Sequence, residues 1–178
     1  MNHEIGPESL ELARFIRPGD AVVVGQACAE PLTLSEALAA QRVAIGGCHV
    51  FLGPAFAGTF RPEHADHLAF TAYAASGSNQ ALARARKLDV LPCHYSALPR
   101  LFSSGKCPAD VVLMQVGPAA GDGFSLGLAN DHIIDAARRA RVVIAELNDQ
   151  VPDTPGSAVP GDIRIDVLMR TSRPPAML

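Results

Sequence analysis

The sequence has little charge and no run of lysine or arginine residues. Only 19% of its 178 residues are charged, and 15 basic against 18 acidic side chains leave a net charge of −3. The nearest thing to a basic cluster, Arg138, Arg139 and Arg141, falls at the end of a predicted helix, where cations interact favourably with the helix dipole. Because nucleic-acid binding needs a basic face, the composition argues against nucleic acid as the main partner.

The sequence also lacks a membrane span and a secretory signal. Its longest stretch without a formal charge, residues 43–60, approaches the length of a span, but the glycines, the proline and the histidine in it predict a strand, a loop and a turn. The N-terminal residues include glutamates where a signal peptide would carry positive charge. We therefore expect a cytoplasmic protein that does not bind membranes.

The few cysteines form neither a C-x-x-C pair nor a ligand set at zinc spacing. They are Cys28, Cys48, Cys93 and Cys107. We expect no metal site, and free thiols in a reducing compartment.

Hydrophobic residues are abundant, at 48% of the chain, which is enough for the core of about one domain. Short apolar runs rich in β-branched residues alternate with helical patterns, as is typical of parallel strands covered on both faces. The predicted strands are residues 21–24, 43–52, 67–73, 89–92, 110–116 and 141–147. The predicted helices are residues 8–16, 31–40, 80–88, 96–102 and 132–140, the last capped by Asn130 or Asp131. The pattern predicts an α/β fold with a mainly parallel sheet.

The composition changes near residue 150, since five of the 14 prolines follow that point. We predict an α/β domain over residues 1–150 and a proline-rich linker or arm over residues 151–178. Within the arm, residues 163–169 alternate like an edge strand. No compact element follows this strand, so we expect the chain to stop short of a partner domain.

Candidate site residues lie in the loops after the predicted strands, because ligands bind at the carboxyl ends of a parallel sheet. The turn of residues 25–31 leads from a buried strand to a helix N-terminus, whose free N–H groups can bind a phosphate, a carboxylate or an oxyanion. Its spacing fits neither the dinucleotide motif nor the P-loop. An ordinary strand-to-helix turn is the alternative.

Three further features each allow two interpretations. The turn from Ser76 to Asn79 either contacts a ligand or caps the next helix. Glu146 and Asn148, at the end of the last strand, either orient a ligand or fix the loop. Cys28 lies near a helix N-terminus that could activate its thiol, but the sequence supplies no base, which favours a small buried cysteine.

Three blocks together resemble the N-terminal half of the acetyl-CoA hydrolase/transferase family, which includes 4-hydroxybutyrate and succinyl-CoA:acetate CoA-transferases. One is GQACAEPLTLSEAL, another runs from DVLPCHYS to NDQVPDTPG, and weaker strand and helix pieces lie between them. The second block has a P-x-H-x-S-x-x-P-R-L-F core formed by Pro92, His94, Ser96, Pro99, Arg100, Leu101 and Phe102. The resemblance extends over nearly the whole chain.

The resemblance implies a three-layer α/β sandwich of the CoA-transferase type, one of two similar halves that close over the active site. In the family, a glutamate of the other half attacks the acyl-CoA, giving an anhydride and then a glutamyl-CoA thioester. The resemblance therefore implies no catalytic residue in this chain, no permanently bound cofactor, and coenzyme A as a substrate. Its implied partners are an acyl-CoA, a carboxylic acid, a missing C-terminal domain or subunit, and further copies of the chain in a homo-oligomer such as a dimer.

The resemblance also implies site residues. The turn of residues 25–31 matches the family's Gly-x-x-x-Gly-Glu-Pro, which faces the acyl group, with Ala29 in place of the last glycine. The family's Asn-x-x-Met-Pro-Arg-Thr matches from Asn148, with Val151 and Asp153 in place of Met and Arg, so the family's substrate choice is not carried over. Together, the loops and the resemblance predict substrate-binding roles for Gly25, Gln26, Glu30, Pro31, Ser76, Asn79 and Asn148.

Three functions fit these features. The first is the N-terminal half of a CoA-transferase that moves CoA between a short-chain acyl-CoA and a carboxylic acid, inactive as an isolated chain. The second is a non-catalytic domain that binds a CoA ester or a partner protein. The third is a thioester hydrolase that uses Cys28 as its nucleophile.

Overall fold

A computed structural model describes residues 3–119, 121 and 123–177 of the chain. Nine strands form one sheet: β1 (His3–Ile5), β2 (Ala21–Val24), β3 (Cys48–Leu52), β4 (Leu68–Ala72), β5 (Leu88–Val90), β6 (Val111–Pro118), β7 (Phe124–Ser125), β8 (Val142–Asn148) and β9 (Val167–Thr171). Eight of them are parallel, in the order β1-β9-β8-β6-β2-β3-β4-β5, and β7 pairs antiparallel with the end of β6. The predicted α/β fold with a mainly parallel sheet is confirmed.

The strand order reverses between β2 and β6. From β2 the chain moves outward through β3 and β4 to β5, then returns to β6 and continues on the other side through β8 to β9. Loops after β2 and β6 therefore leave the sheet in different directions, and this opens a crevice at their carboxyl ends. In open parallel sheets, ligands bind in such a crevice.

Helices cover both faces of the sheet. They are α1 (Leu32–Ile45), α2 (Asn79–Arg84), α3 (Leu98–Ser103) and α4 (Ile133–Arg139). In β2, Val22 and Val24 pack into a core that contains Leu34 and Leu38 of α1, whereas Val23 packs into a second core with Phe102 of α3. Successive side chains of a strand point to opposite faces, so a buried apolar run such as β2 requires this three-layer arrangement.

Helix α1 is longer than predicted. It continues to Ile45 and ends at Gly46, whose φ of 82° is left-handed. Glycine adopts this conformation without the steric cost of a Cβ, so it stops the helix there. Strand β3 consequently begins at Cys48, not at residue 43. The helix predicted over residues 8–16 is also replaced, by two short 3-10 helices, Pro7–Ser9 and Leu12–Arg14.

The edge-strand prediction for residues 163–169 is wrong in its position. Strand β9 lies inside the sheet, between β8 and β1, with His3 paired to Val167. The N-terminal strand covers the outer side of β9, which no local pattern could indicate. Much of the predicted arm therefore packs on the sheet, with Val151 and Ile165 buried. That the arm leads toward a second domain stays a prediction.

None of the helices in the described part of the chain is both long and apolar enough to cross a membrane.

Candidate functional site

Three polar side chains from separate loops meet around Gln26, at the carboxyl edge of the sheet. The hydroxyl of Tyr73 donates to Gln26 Oε1 at 2.8 Å. Gln26 Nε2 donates to Asp131 Oδ2 at 2.7 Å and to the hydroxyl oxygen of Tyr95 at 3.4 Å. We call these four residues the Gln26 cluster. Three loops thus hold one amide group in a single orientation.

The local backbone explains why Gln26 reaches this position. Directly after Gln26, the chain forms a short 3-10 helix, Ala27–Ala29, in which Ala27 has a φ of 53°. The Ala27 N–H donates to the carbonyl of Pro54 at 2.7 Å, which joins this turn to the loop after β3. A non-glycine residue with positive φ carries strain that the surrounding contacts must offset.

The two phenols of the cluster are uncharged. Asp131 Oδ1 accepts from the N–H of Ile133 at 2.9 Å, so this carboxylate also caps α4, as one of the two predicted caps. Burial raises the pKa of Tyr73 to about 12. Burial, and to a smaller extent the negative charge of Asp131, raises the pKa of Tyr95 above its ordinary value. Both phenols therefore keep their protons at physiological pH.

An uncharged histidine lies against the two tyrosines. His132 is 2% exposed and stacks on Phe102, with ring centroids 5.4 Å apart and planes at 5°. The rings of Tyr73 and Tyr95 approach it edge-on, each with its centroid 6.1 Å from that of His132. Burial lowers the pKa of His132 although Asp131 opposes the shift. His132 thus acts as an aromatic support for the tyrosines.

Three members of the cluster, Tyr73, Tyr95 and Asp131, are absent from the predicted site residues. Tyr73 directly follows β4, so its place after a strand is the one signal that could have identified it. Asp131 is predicted only as a helix cap. Tyr95 belongs to a 3-10 helix that no sequence pattern places beside Gln26.

The prediction that the amides at the start of α1 point freely into the turn of residues 25–31 is wrong. Glu146 Oε2 accepts from the N–H groups of Thr33 at 2.9 Å and Leu34 at 3.1 Å, and Oε1 accepts from the Thr33 hydroxyl at 3.0 Å. Glu146 is fully buried, and burial raises its pKa. Glu146 therefore fixes the start of α1, whereas the sequence interpretation has it fixing the loop after its own strand.

The other predicted residues of the turn serve its own packing. A Cβ on Gly25 would lie 2.5 Å from the carbonyl oxygen of Ala29. Glu30 is 2% exposed and accepts from the N–H groups of Phe56 and Ala57 at 3.4 Å, and burial raises its pKa. Pro31 is buried and precedes the first residue of α1. Among the predicted residues of the turn, Gln26 is the one that belongs to the Gln26 cluster.

Ala29 fits the turn although it replaces a glycine of the family motif. Among the described residues other than glycine, only Ala27 and Arg86 have a positive φ. Residue 29 therefore has a backbone conformation that alanine adopts readily.

The turn from Ser76 to Asn79 binds the loop after β3. Asn79 is 1% exposed and donates to the carbonyl of Gly53 at 2.7 Å, and the Ser78 hydroxyl donates to that of Ala55 at 3.0 Å. The predicted side-chain cap of α2 is not formed. The Ser76 hydroxyl is buried and has no hydrogen-bond partner among the described residues.

Asn148 fixes the loops at the end of β8. Its amide donates to Gln115 Oε1 at 3.1 Å and to the carbonyl of Arg173 at 2.8 Å, while Oδ1 accepts from the N–H of Gln150 at 3.1 Å. Gln115 in turn donates to the carbonyl of Cys28 at 3.1 Å. Asn148 therefore joins the last strand to the 25–31 turn through a buried amide pair.

The described residues contain no group of three or more histidine, cysteine, aspartate or glutamate side chains placed to hold a metal ion.

Comparison with known sequences gives one family. The sequence profile of the acetyl-CoA hydrolase/transferase N-terminal domain matches residues 7–168. The 4-hydroxybutyrate coenzyme A transferase of Clostridium kluyveri is 30% identical over 156 residues, which are 86% of this chain and 36% of that protein. The succinyl-CoA:cyclohexane-1-carboxylate CoA transferase of Geobacter metallireducens is 25% identical over 174 residues, 95% of this chain and 39% of that protein. The chain spans less than half the length of either relative.

Solved structures share the fold. RipA from Yersinia pestis superposes with a TM-score of 0.86 at 24% identity, over 99% of this chain and 44% of that one. The 4-hydroxybutyrate CoA-transferase from Porphyromonas gingivalis has a TM-score of 0.71 at 25% identity, over 99% of this chain and 41% of that one. Glutaconate coenzyme A-transferase from Acidaminococcus fermentans matches at 9% identity with a TM-score of 0.65, over 96% of this chain and 76% of that one.

Proposed function

The chain belongs to the acetyl-CoA hydrolase/transferase family, as its N-terminal domain, and we propose that it forms half of an enzyme that moves CoA between a short-chain acyl-CoA and a carboxylic acid. The observation that carries the proposal is the family match over residues 7–168. The Gln26 cluster supports it, because this cluster places one uncharged hydrogen-bond donor, the Tyr95 hydroxyl, beside the crevice where such a fold binds ligands.

The proposed reaction proceeds through a glutamate of a second domain. Its carboxylate attacks the acyl-CoA carbonyl, the C–S bond breaks, and CoA leaves as a thiolate, so that the acyl group and the glutamate are joined in a mixed anhydride. The thiolate then attacks the glutamyl carbonyl and releases the first acid as a carboxylate. The second acid attacks the glutamyl-CoA thioester, and the CoA thiolate released in that step attacks the new acyl carbonyl and frees the glutamate.

The carboxylates near the crevice support a nucleophile from outside this domain. Glu30 and Glu146 are buried and accept backbone N–H groups. Asp131 accepts from Gln26 and from the N–H of Ile133. A nucleophilic carboxylate needs an accessible oxygen, and these three are engaged in holding the fold. The role of this domain is therefore to bind and orient the acyl and carboxylate groups.

The Cys28 hydrolase gains no support from the structure. Among the described residues, the hydrogen-bond partner of Cys28 Sγ is the carbonyl oxygen of Leu128, at 3.8 Å. A carbonyl cannot take a proton from the thiol, so this contact does not activate a nucleophile.

The test is a trapping experiment. The chain is incubated with acetyl-CoA and butyrate, alone and together with the second domain, and borohydride is added to reduce any glutamyl-CoA thioester. Mass spectrometry then locates the reduced residue. We expect CoA transfer and an adduct only when the second domain is present, and an adduct on its polypeptide. An adduct on residues 1–178 would contradict the proposal, and so would the absence of transfer in the combined sample.

A further inference from the structure

Tyr95 is the member of the Gln26 cluster that faces outward. Tyr95 is 46% exposed, whereas Tyr73 is half-buried and the side chain of Asp131 is 7% exposed. We propose that Tyr95 is a substrate-binding residue, whose hydroxyl donates a hydrogen bond to a carboxylate or thioester carbonyl oxygen of the substrate. The assignment rests on the proposed function, because it takes its ligand chemistry from CoA transfer.

The hydrogen bonds of the cluster leave one proton unused. The Tyr73 proton is donated to Gln26 Oε1, and the two amide protons of Gln26 go to Asp131 and to the oxygen of Tyr95. Tyr95 therefore accepts from inside the cluster. Among the described residues, none accepts the Tyr95 hydroxyl proton, and this proton is free for a ligand.

Packing holds the Tyr95 ring before any ligand arrives. Its centroid lies 5.6 Å from that of Tyr73, with planes at 57°, and 6.1 Å from that of His132, with planes at 79°. Tilted and edge-on contacts at these distances are the favourable geometries of aromatic pairs. A donor that is already oriented loses little conformational freedom on binding, so its hydrogen bond contributes more to affinity.

The charge distribution selects the ligand chemistry. The Asp131 side chain is 7% exposed, and its two oxygens accept from Gln26 and from the N–H of Ile133. A positively charged ligand group would find no free carboxylate in the cluster, whereas an oxygen acceptor meets the Tyr95 O–H. Because burial and Asp131 raise the pKa of Tyr95, the donor keeps its proton across the physiological range.

The experiment compares Tyr95→Phe with Tyr73→Phe in the full-length protein. Each protein is titrated with acetyl-CoA and, separately, with acetate, by calorimetry. We expect Tyr95→Phe to weaken binding of one of these ligands by roughly 10-fold, the range of a hydrogen bond to a charged or strongly polar oxygen. The ligand affected identifies the oxygen: acetate alone indicates the free acid, and acetyl-CoA alone indicates the thioester.

The matched control separates binding from folding. Tyr95→Phe removes an exposed hydroxyl whose contact with Gln26 is long, at 3.4 Å, so we expect its melting temperature to fall less than that of Tyr73→Phe. Tyr73→Phe leaves Gln26 Oε1 without its donor, so we expect its melting temperature to fall. Equal affinity of the parent and Tyr95→Phe for both ligands would overturn the assignment, and so would a parent protein that binds neither. If binding depends on Tyr95 but the trapping experiment shows no CoA transfer, the ligand-binding role of Tyr95 is supported and the proposed function is contradicted.

Discussion

Gly53 leaves the space that the side chain of Gln26 occupies: a Cβ atom on residue 53 would lie 1.9 Å from Gln26 Oε1. The two residues lie on the loops after the neighbouring strands β3 and β2. The orientation of the Gln26 amide, and with it the position of the Tyr95 hydroxyl, therefore depends on the absence of a side chain at position 53.

Gly53→Ala is expected to displace Gln26 and to lower the free energy of unfolding by about 1 to 3 kcal/mol, the cost of overpacking a filled site. Urea denaturation measures this loss. Gly6→Ala is the matched control, since nothing lies within 4 Å of a Cβ at residue 6 and its φ of −80° suits alanine. Equal stability of the two variants would show that Gln26 does not need this space.

Glu146→Ala is expected to destabilise the protein by about 2 to 3 kcal/mol, because one buried and one partly buried N–H group of α1 lose their acceptor. The control is Glu36→Ala on the same helix. Glu36 forms a half-exposed ion pair with Arg173 at 2.9 Å, and the loss of such a pair costs less than about 1 kcal/mol. A Glu146→Ala protein as stable as Glu36→Ala would contradict the capping role.

The contribution of Glu30 and Glu146 to stability is expected to fall as the pH rises from mildly acidic toward neutral, whereas buried His132, whose pKa burial lowers, contributes with the opposite sign. Burial raises the pKa of both carboxyls above the ordinary glutamate value of 4.5, so the folded state favours their protonated forms. Their contribution is complete below that ordinary value and is lost as the pH rises through the raised pKa of each group in the folded protein. Melting temperatures between pH 5 and 8 measure this slope.

Glu30→Gln and Glu146→Gln should each remove part of this pH-dependent loss, since an amide does not titrate. Exposed Glu63→Gln serves as the control and should leave the slope unchanged. Asp66 has the opposite effect at acidic pH. The hydrogen bond from Arg42 lowers its pKa to about 2, so its contribution to stability is lost as the pH falls toward that value. An unaltered slope in both buried variants would show that these carboxyls are not the source of the pH dependence.

Cys48 and Cys107 are expected to resist alkylation in the folded protein. Burial raises the pKa of Cys48 to about 12 and that of Cys107 to about 11. At pH 8 the reactive thiolate is then about one molecule in a thousand or fewer. Iodoacetamide labelling followed by peptide mass spectrometry should show both cysteines unmodified in buffer and modified in urea. Labelling at equal rates in the two conditions would contradict the burial of these thiols.

The strands of the inner sheet are predictable from the sequence. The strand predicted over residues 21–24 is β2, and the prediction for residues 110–116 coincides with most of β6. A strand that is buried on both faces is a run of β-branched apolar residues, so it can be recognised from its own residues without knowledge of the neighbouring elements. The family is likewise indicated by sequence blocks whose residues are contiguous in the chain.

The site required the tertiary structure. Gln26 is a predicted residue, but Tyr95 and Asp131, which hold it, lie 69 and 105 residues away in the chain. Glu146 is ambiguous in the sequence because its partner Thr33 is 113 residues distant. Hydrophobic periodicity reports which face of an element is buried, and it contains no information on which loops the strand order brings together.

Short-range patterns and residues that stay adjacent in the chain are enough to establish the α/β class, the parallel inner strands and the family. Two features instead depend on the folded chain: β9 lies inside the sheet, covered by β1, and Gln26, Tyr73, Tyr95 and Asp131 form one cluster. Both follow from the order of the strands, which is set by the packing of the whole chain and not by any segment of it.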